Sequence, residues 1–316
     1  MGKVAFLFPG QGSQAVGMGK QLAEVNETAA AFFKKADEIL KTPLSQIMFE
    51  GPQEELTLTT NAQPALLTTS MAVLAVFEEA GIKPDYVAGH SLGEYSALVA
   101  AGALSFEEGV YAVRKRGECM EEAVPAGQGA MAAILGMDAG LLQDVTKEVS
   151  EEGHAVQIAN MNSRQQIVIS GTKQGVDNAC KQAKEKGAKR AIPLKVSGPF
   201  HSSLMKPAAE QFREVLDSIT IHSTQVPVVA NVTADCVTDS EVIKEKLIEQ
   251  LYSPVRWYES IERMVELGVD TFIEIGPGKV LAGLMKSIAP SAKVYAIYDQ
   301  ETIEATISKL KGEGIC

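Results

Sequence analysis

The segment that most restricts the fold runs from Tyr86 to Ala101. An apolar triplet, Tyr86-Val87-Ala88, is followed by Gly89-His90-Ser91-Leu92-Gly93 and then by a helix-forming run from Glu94. A strand that reverses into a helix over five residues needs small side chains on both sides of the reversal, and the residue at the tip is lifted clear of the backbone at a helix N-terminus. The pentapeptide alone occurs often by chance. The strand before it and the helix after it carry the inference that Ser91 is a nucleophile on an elbow.

The same rhythm extends along the chain. Short apolar strands at Val4-Phe8, Tyr86-Ala88, Val226-Ala230 and Thr271-Ile275 alternate with segments whose apolar residues recur at three and four spacing, such as Leu67-Met71-Leu74-Phe77 and Val242-Leu247-Leu251. That alternation predicts an α/β protein with a mainly parallel sheet. Residues 127–197 break it. They read as strand Met131-Leu135, helix Leu141 to Val149, strands Ala155-Ala159 and Ile167-Ile169, helix Val176 to Ala183, and strand Ala191-Val196. The order βαββαβ is the split, ferredoxin-like unit. Gly127-Gln128-Gly129 and Ser197-Gly198-Pro199 supply turn chemistry at its borders. The expected organisation is a core of residues 1–126 and 198–316 with a small inserted domain at 127–197.

Composition excludes several classes. The net charge of −11 argues against a nucleic-acid surface, because phosphate contacts need a basic field. The longest apolar runs, such as Met71 to Phe77, fall far short of the ~20 residues that span a bilayer, and Val4-Phe8 is too short for a signal-peptide core, so a cytoplasmic protein is expected. Cys119, Cys180, Cys236 and Cys316 form no Cys-x-x-Cys pair, which suggests neither a metal site nor a disulfide framework. The insert carries a net +2 against −13 for the remainder, with Lys181, Lys184, Lys186, Lys189 and Arg190 close together. Such a run reads either as a solvated helix face or as a docking patch.

A serine nucleophile at neutral pH needs a base, and four histidines are available. His90 adjoins Ser91, where consecutive side chains diverge. His154 lies in the insert, and His222 in a polar stretch without turn chemistry. His201 follows Gly198-Pro199-Phe200 ahead of a helix expected to begin near Ser202, at the insert's exit, and is the preferred base. On the predicted helix Phe106 to Met120, Arg116 lies about 70° from the centre of the apolar stripe, nearer than Arg114 or Lys115. An arginine at the edge of an apolar face suits bidentate recognition of a carboxylate, although a snorkelling surface arginine is commoner. Arg116, His201 and the elbow could line one interdomain cleft. Pro9-Gly10-Gln11-Gly12-Ser13-Gln14 reads equally as a glycine turn and as a loop that turns an N–H towards an oxyanion, while elbow geometry assigns the second N–H to Leu92. Gly276-Pro277-Gly278-Lys279 lacks phosphate-loop spacing and reads as a strand-to-helix turn.

Together, Phe8-Pro-Gly-Gln-Gly-Ser-Gln14, Gln63-Pro-Ala65, Gly89-His-Ser-Leu-Gly-Glu94, Arg116-Gly117, Gly198-Pro-Phe-His-Ser202, Gln250 and Glu274-Ile-Gly-Pro-Gly278 resemble the malonyl-CoA:acyl carrier protein transacylase family of fatty acid synthesis, almost end to end. The resemblance implies an α/β-hydrolase-like core with a ferredoxin-like insert. It also implies Ser91 as nucleophile, His201 as base, Arg116 as ligand of the malonyl carboxylate, and Gln11 with Leu92 as oxyanion donors. A backbone carbonyl at Gln250 would orient the imidazole where a triad has an acid. The implied reaction is ping-pong transfer from malonyl-CoA to the pantetheine thiol of acyl carrier protein, with no bound cofactor, by a monomer. Lys189 and Arg190 are the expected docking residues for the acidic carrier. Phe200 matches the phenylalanine that accompanies malonyl choice in related polyketide acyltransferases. Asn162-Ser163-Arg164 departs from the family's usual Asn-Ser-Pro and puts the local loop shape in question. A thioester hydrolase or a polyketide-type acyltransferase with the same Ser-His pair, and a non-catalytic carrier-binding module, are the rival readings.

Overall fold

The computed structural model describes residues 2–125, 127–196 and 198–315. The expected segment borders at Ala126 and Ser197, and Cys316, lie outside the described residues. Among the described residues ten strands form: β1 (Lys3–Phe8), β2 (Tyr86–Gly89), β3 (Gly129–Leu135), β4 (Val156–Ser163), β5 (Gln166–Thr172), β6 (Arg190–Pro193), β7 (Val228–Ala230), β8 (Asp235–Val237), β9 (Val269–Ile275) and β10 (Lys293–Ile297). They make a six-stranded sheet in the order β10-β9-β1-β2-β7-β8 and a four-stranded sheet in the order β4-β5-β3-β6.

In the larger sheet β10, β9, β1, β2 and β7 run parallel and only the edge strand β8 is antiparallel. Central parallel strands are covered on both faces, which explains why Val4-Phe8 is an unbroken apolar run rather than an alternating one. Phe6 and Phe8 face the major core, while Ala5 and Leu7 face a second cluster around Trp257 and Phe272. The helix Thr59–Glu78 is buried on nearly every side and packs along the helix Phe106–Glu122. A capping box at Ser105 and Glu108 starts the latter.

The smaller sheet has only antiparallel neighbours, and its order is that of a ferredoxin-like βαββαβ unit. Alternation along β3 shows how the unit is seated. Ala132 and Ile134 face the unit's own helices, whereas Met131 and Ala133 belong to the major core. Main-chain bonds of 2.8 Å from Met161 N–H to Val255 and from Val255 N–H to Ala159 add a second seam.

Several expected boundaries shift, three of them with a plain cause or consequence. The strand expected at Val226-Ala230 starts at Val228, and the one expected to run from Ala191 to Val196 ends at Pro193. Pro227 cannot donate to a sheet ladder, and the chain beyond Pro193 leaves the sheet to form a wall of the cleft. The helix expected near Ser202 opens instead as a 3₁₀ turn, Ser203–Met205, before Lys206–Asp217.

Candidate active site

The Gly89–Gly93 turn stands where β2 ends, at the carboxyl edge of the sheet. Ser91 has a φ of 51°. A Cβ at Gly89 would stand 1.9 Å from the Gly93 carbonyl, and one at Gly93 would stand 2.1 Å from the Phe8 oxygen. No side chain fits at either position. The Ser91 N–H donates to Asn231 Oδ1 at 2.7 Å, and Asn231 Nδ2 donates to the Gly89 carbonyl at 2.7 Å, which ties the turn to the end of β7.

Ser91 Oγ lies 2.7 Å from His201 Nε2. His201 Nδ1 is 2.8 Å from the Gln250 carbonyl oxygen, which can only accept, so Nδ1 carries the proton and Nε2 is free to take one from the hydroxyl. Burial, reinforced by the Arg116 charge, lowers the His201 imidazole to about 3. The imidazole is therefore neutral at physiological pH. Its conjugate acid is costly for as long as the guanidinium lacks a counter-charge.

Arg116 is 1% exposed on its helix, as its place by the apolar stripe suggested. It donates to Gln63 Oε1 at 2.9 Å, to Gln250 Oε1 at 2.9 Å and to Ser91 Oγ at 3.1 Å. The guanidinium carbon lies 5.5 Å from the Tyr95 ring centre. Its direct partners are thus two neutral amides, a hydroxyl and a π-face. A buried cation held this way is arranged to receive an anion beside the nucleophile.

These groups line a cleft of about 290 Å³ with Gln11, Met131, Asn160, Leu194, Lys195 and Phe200. Gln11 lies on the loop after β1, and Gln11 Nε2 donates to Thr59 Oγ1 at 3.3 Å. Among the described residues, the main-chain N–H groups of Gln11 and Leu92 make none of the turn and cap bonds around the elbow. His90 is turned away from the hydroxyl: its Nε2 meets Asn162 Oδ1 at 2.7 Å and its ring lies 5.5 Å from that of Trp257. Neither His154 nor His222 lines the cleft. The Gly276–Lys279 turn starts the helix Val280–Ile288, with the Glu274 carboxylate accepting from Leu281 and Ala282 N–H at 3.0 and 2.7 Å.

Lys189 and Arg190 are exposed and lie outside the Ser91 cleft. Lys189 borders a separate groove with Leu284 and Ser287 of the helix Val280–Ile288. Arg164 also points elsewhere, pairing with Glu262 at 2.8 Å over the Tyr258 ring. The departure at 164 therefore leaves the cleft lining intact, while Asn162 holds His90. Reasoning from the residues gave Asn231 and Gln157 no place and left Gln63 and Glu94 as motif letters without tasks. Asn231 carried one usable signal, a polar residue just past a parallel strand, where such sheets bind ligands. Among the described residues, no cluster of His, Cys, Asp and Glu could hold a metal, and no helix is long and apolar enough to cross a membrane.

Comparison with known proteins agrees with this geometry. Residues 5–303 match the acyl transferase domain family. The malonyl CoA-acyl carrier protein transacylase of Bacillus subtilis (strain 168) is 65% identical over 313 residues, covering 99% of each chain. Its Staphylococcus aureus (strain MSSA476) namesake is 46% identical over 304 residues, covering 96% of this chain and 98% of the other. Among solved structures, a malonyl-transacylase in complex with a type II PKS acyl-carrier protein superposes with a TM-score of 0.95 at 44% identity, covering 97% of this chain and 99% of that one. The acyl-carrier-protein-S-malonyltransferase from Bartonella henselae gives a TM-score of 0.95 at 46% identity, covering 98% of this chain and 100% of that one. With an elbow serine, a neutral histidine and a buried arginine on one cleft, and these relatives along its whole length, the chain belongs to the acyl transferase domain family and, within it, to the malonyl-CoA:acyl carrier protein transacylases.

Proposed function

We propose that this enzyme transfers the malonyl group of malonyl-CoA to the pantetheine thiol of acyl carrier protein through a malonyl ester on Ser91. The observation that carries the reading is the Arg116 guanidinium, almost fully buried and 3.1 Å from the nucleophilic oxygen. In a malonyl thioester one methylene separates the reacting carbonyl from the carboxylate. A cation this close to the nucleophile therefore meets the carboxylate of a three-carbon acyl group as its carbonyl reaches Ser91.

His201 Nε2 accepts the Ser91 proton as Oγ attacks the thioester carbonyl, and the main-chain N–H groups of Gln11 and Leu92 receive the oxyanion. Collapse breaks the C–S bond, and the proton passes from His201 to the departing thiolate of coenzyme A. The carrier thiol repeats the sequence in reverse, giving its proton to His201 and taking the acyl group. Because the carboxylate pairs with Arg116, it offsets the field that depresses the base, so the imidazolium is easier to form with malonyl bound than with acetyl. Acetyl would also leave the guanidinium without an ionic partner, at about 2 kcal/mol or more, which is roughly thirtyfold in rate. The Gln250 carbonyl fixes the tautomer without supplying a full negative charge. A thioester is activated enough for that weaker pair.

Residues 127–197 act as a separate unit that closes one wall of the cleft, and Lys189 and Arg190 on it meet the acidic carrier. The enzyme works as a cytoplasmic monomer without a bound cofactor. Intact-protein mass spectrometry of wild type and Ser91→Ala after malonyl-CoA, and then after pantetheinylated carrier, tests the reading. A malonyl adduct on wild type alone, discharged to the carrier, is expected. Free malonate accumulating without an adduct would instead mark a hydrolase.

A further inference from the structure

Glu94 is a buried carboxyl to which acyl transfer, as described, assigns nothing. It lies in the first turn of the helix Gly93–Ala100 and is 2% exposed. Its Oε2 accepts the Asn231 main-chain N–H at 3.1 Å and Gln250 Nε2 at 2.7 Å. Those two residues hold most of what reacts. Asn231 accepts the Ser91 N–H and ties down Gly89. Gln250 donates to the Ser91 carbonyl at 3.0 Å, accepts from Arg116 at 2.9 Å through its side chain, and accepts from His201 at 2.8 Å through its main-chain carbonyl.

An amide can present either end. Gln250 has to show Oε1 to Arg116, because its NH₂ group there would set donor against donor. An ionised carboxylate only accepts, so Glu94 binds the NH₂ end together with the Ser91 carbonyl and adds the charged, shorter bond that holds this orientation. The amide then stands between a cation and an anion, both buried. From this geometry we infer that Glu94 is a positioning residue for acyl transfer, its carboxylate locking the Gln250 amide against Arg116 and so setting both the acyl-carboxylate ligand and the carbonyl that orients His201.

The inference rests on the roles proposed for Ser91, His201 and Arg116. Burial raises the Glu94 carboxyl to about 7, against the hydrogen bonds from Gln250 and Asn231 and the Arg116 charge, so the locking form is gained as pH rises through neutrality. The charged or titratable groups acting on it are Arg116, from the helix Phe106–Glu122, and Tyr95, on its own helix. Gln250 and Asn231 on the other sides are neutral, and His201 beyond Gln250 is held neutral by burial.

Single-turnover malonylation of Ser91, followed from about pH 5.5 to 8.5 in the full-length enzyme, tests it. The wild-type rate should rise through about pH 7, and Glu94→Gln should lose that limb. At about pH 8 the variant should be slower by about tenfold or more, with the fall in kcat larger than any rise in KM for malonyl-CoA. Glu94→Gln placed in a Gln250→Leu background should add no further loss, because without the Gln250 amide the Glu94 carboxylate has nothing to lock. A Glu94→Gln enzyme within about twofold of wild type, or one retaining the limb, overturns the inference, as do additive losses in the double variant. So does a rise in KM equal to the fall in kcat. If Glu94→Gln does not fold, a flat wild-type profile across neutrality overturns it equally. A wild type that is never malonylated at Ser91 would remove the underlying reading instead.

Discussion

Ser91 and His201 both occupy the left-handed region of backbone space, with φ of 51° and 57°, yet they are held there by different means. The serine's conformation starts from a local turn, which Asn231 and Gln250 then tie down from outside. Gly93 N–H closes onto the His90 carbonyl at 2.9 Å within the turn, and the flanking glycines admit a backbone approach that no side chain would allow. The histidine's conformation is imposed from a distance. His201 N–H donates to Leu251 at 3.1 Å and Nδ1 to Gln250, while Gln157 from β4 donates to the His201 carbonyl at 3.3 Å and accepts from Ser203 N–H at 2.8 Å. Strain at an active site persists only where the surroundings over-determine it. Here the Gly89–Gly93 turn shares that task with Asn231 and Gln250 at Ser91, whereas at His201 segments more than forty residues away carry it.

The largest effect that could break this contrast is expected at Gly89. Gly89→Ala sets a methyl 1.9 Å from backbone atoms that cannot retreat. It should cost more than about 4 kcal/mol and leave little folded enzyme in denaturant unfolding. A variant with wild-type stability would show that the elbow is not locally constrained.

Protonation of His201 comes next. Its folded-state value of about 3 lies below the ordinary 6.5, so between them the unfolded chain binds more protons. The stability associated with a neutral His201 is present above 6.5 and should be lost as pH falls towards 3. Melting temperatures of wild type and His201→Gln should accordingly converge or cross on acidification, and a constant difference would contradict the burial argument.

Gln157→Leu sharpens the comparison. It frees the His201 carbonyl without touching the elbow, so kcat for acylation should drop about fivefold, near 1 kcal/mol, with melting little changed. Unchanged kcat would place the loop's constraint wholly in Gln250 and Leu251. The smallest effect is expected at Gly198, where an added Cβ meets only the Phe200 ring at 3.0 Å, a side chain that can shift. Gly198→Ala should cost about 1 kcal/mol or less. A collapse like that of Gly89→Ala would make the two loops equivalent.

The difference between the loops also explains what could be read in advance. The elbow, the parallel sheet and the βαββαβ order are short-range patterns of glycine spacing and apolar period, legible before any contact is known. Arg116 was legible for the same reason, since a 100° rotation per residue places it beside the stripe of its helix. His201 emerged by elimination among four histidines, and the Gln250 carbonyl only through family likeness, because a backbone oxygen has no sequence signature. β8 and β10 were not anticipated. β8 has only three residues to carry a pattern, whereas β10 does carry one, the apolar run Val294 to Ile297, that went unread.

The sequence by itself therefore determined the fold class and pointed to Ser91 and Arg116, because periodicity and steric exclusion act between near neighbours. Only the tertiary structure decided how Asn231, Gln250, Glu94 and Gln157 converge on them. The hydrogen bonds that join these residues to the site are single long-range contacts, formed when β7, the helix Ser240–Gln250 and β4 pack at the carboxyl edge of the sheet. Such contacts have no period along the chain, and only the packed sheet and helices bring their partners within reach.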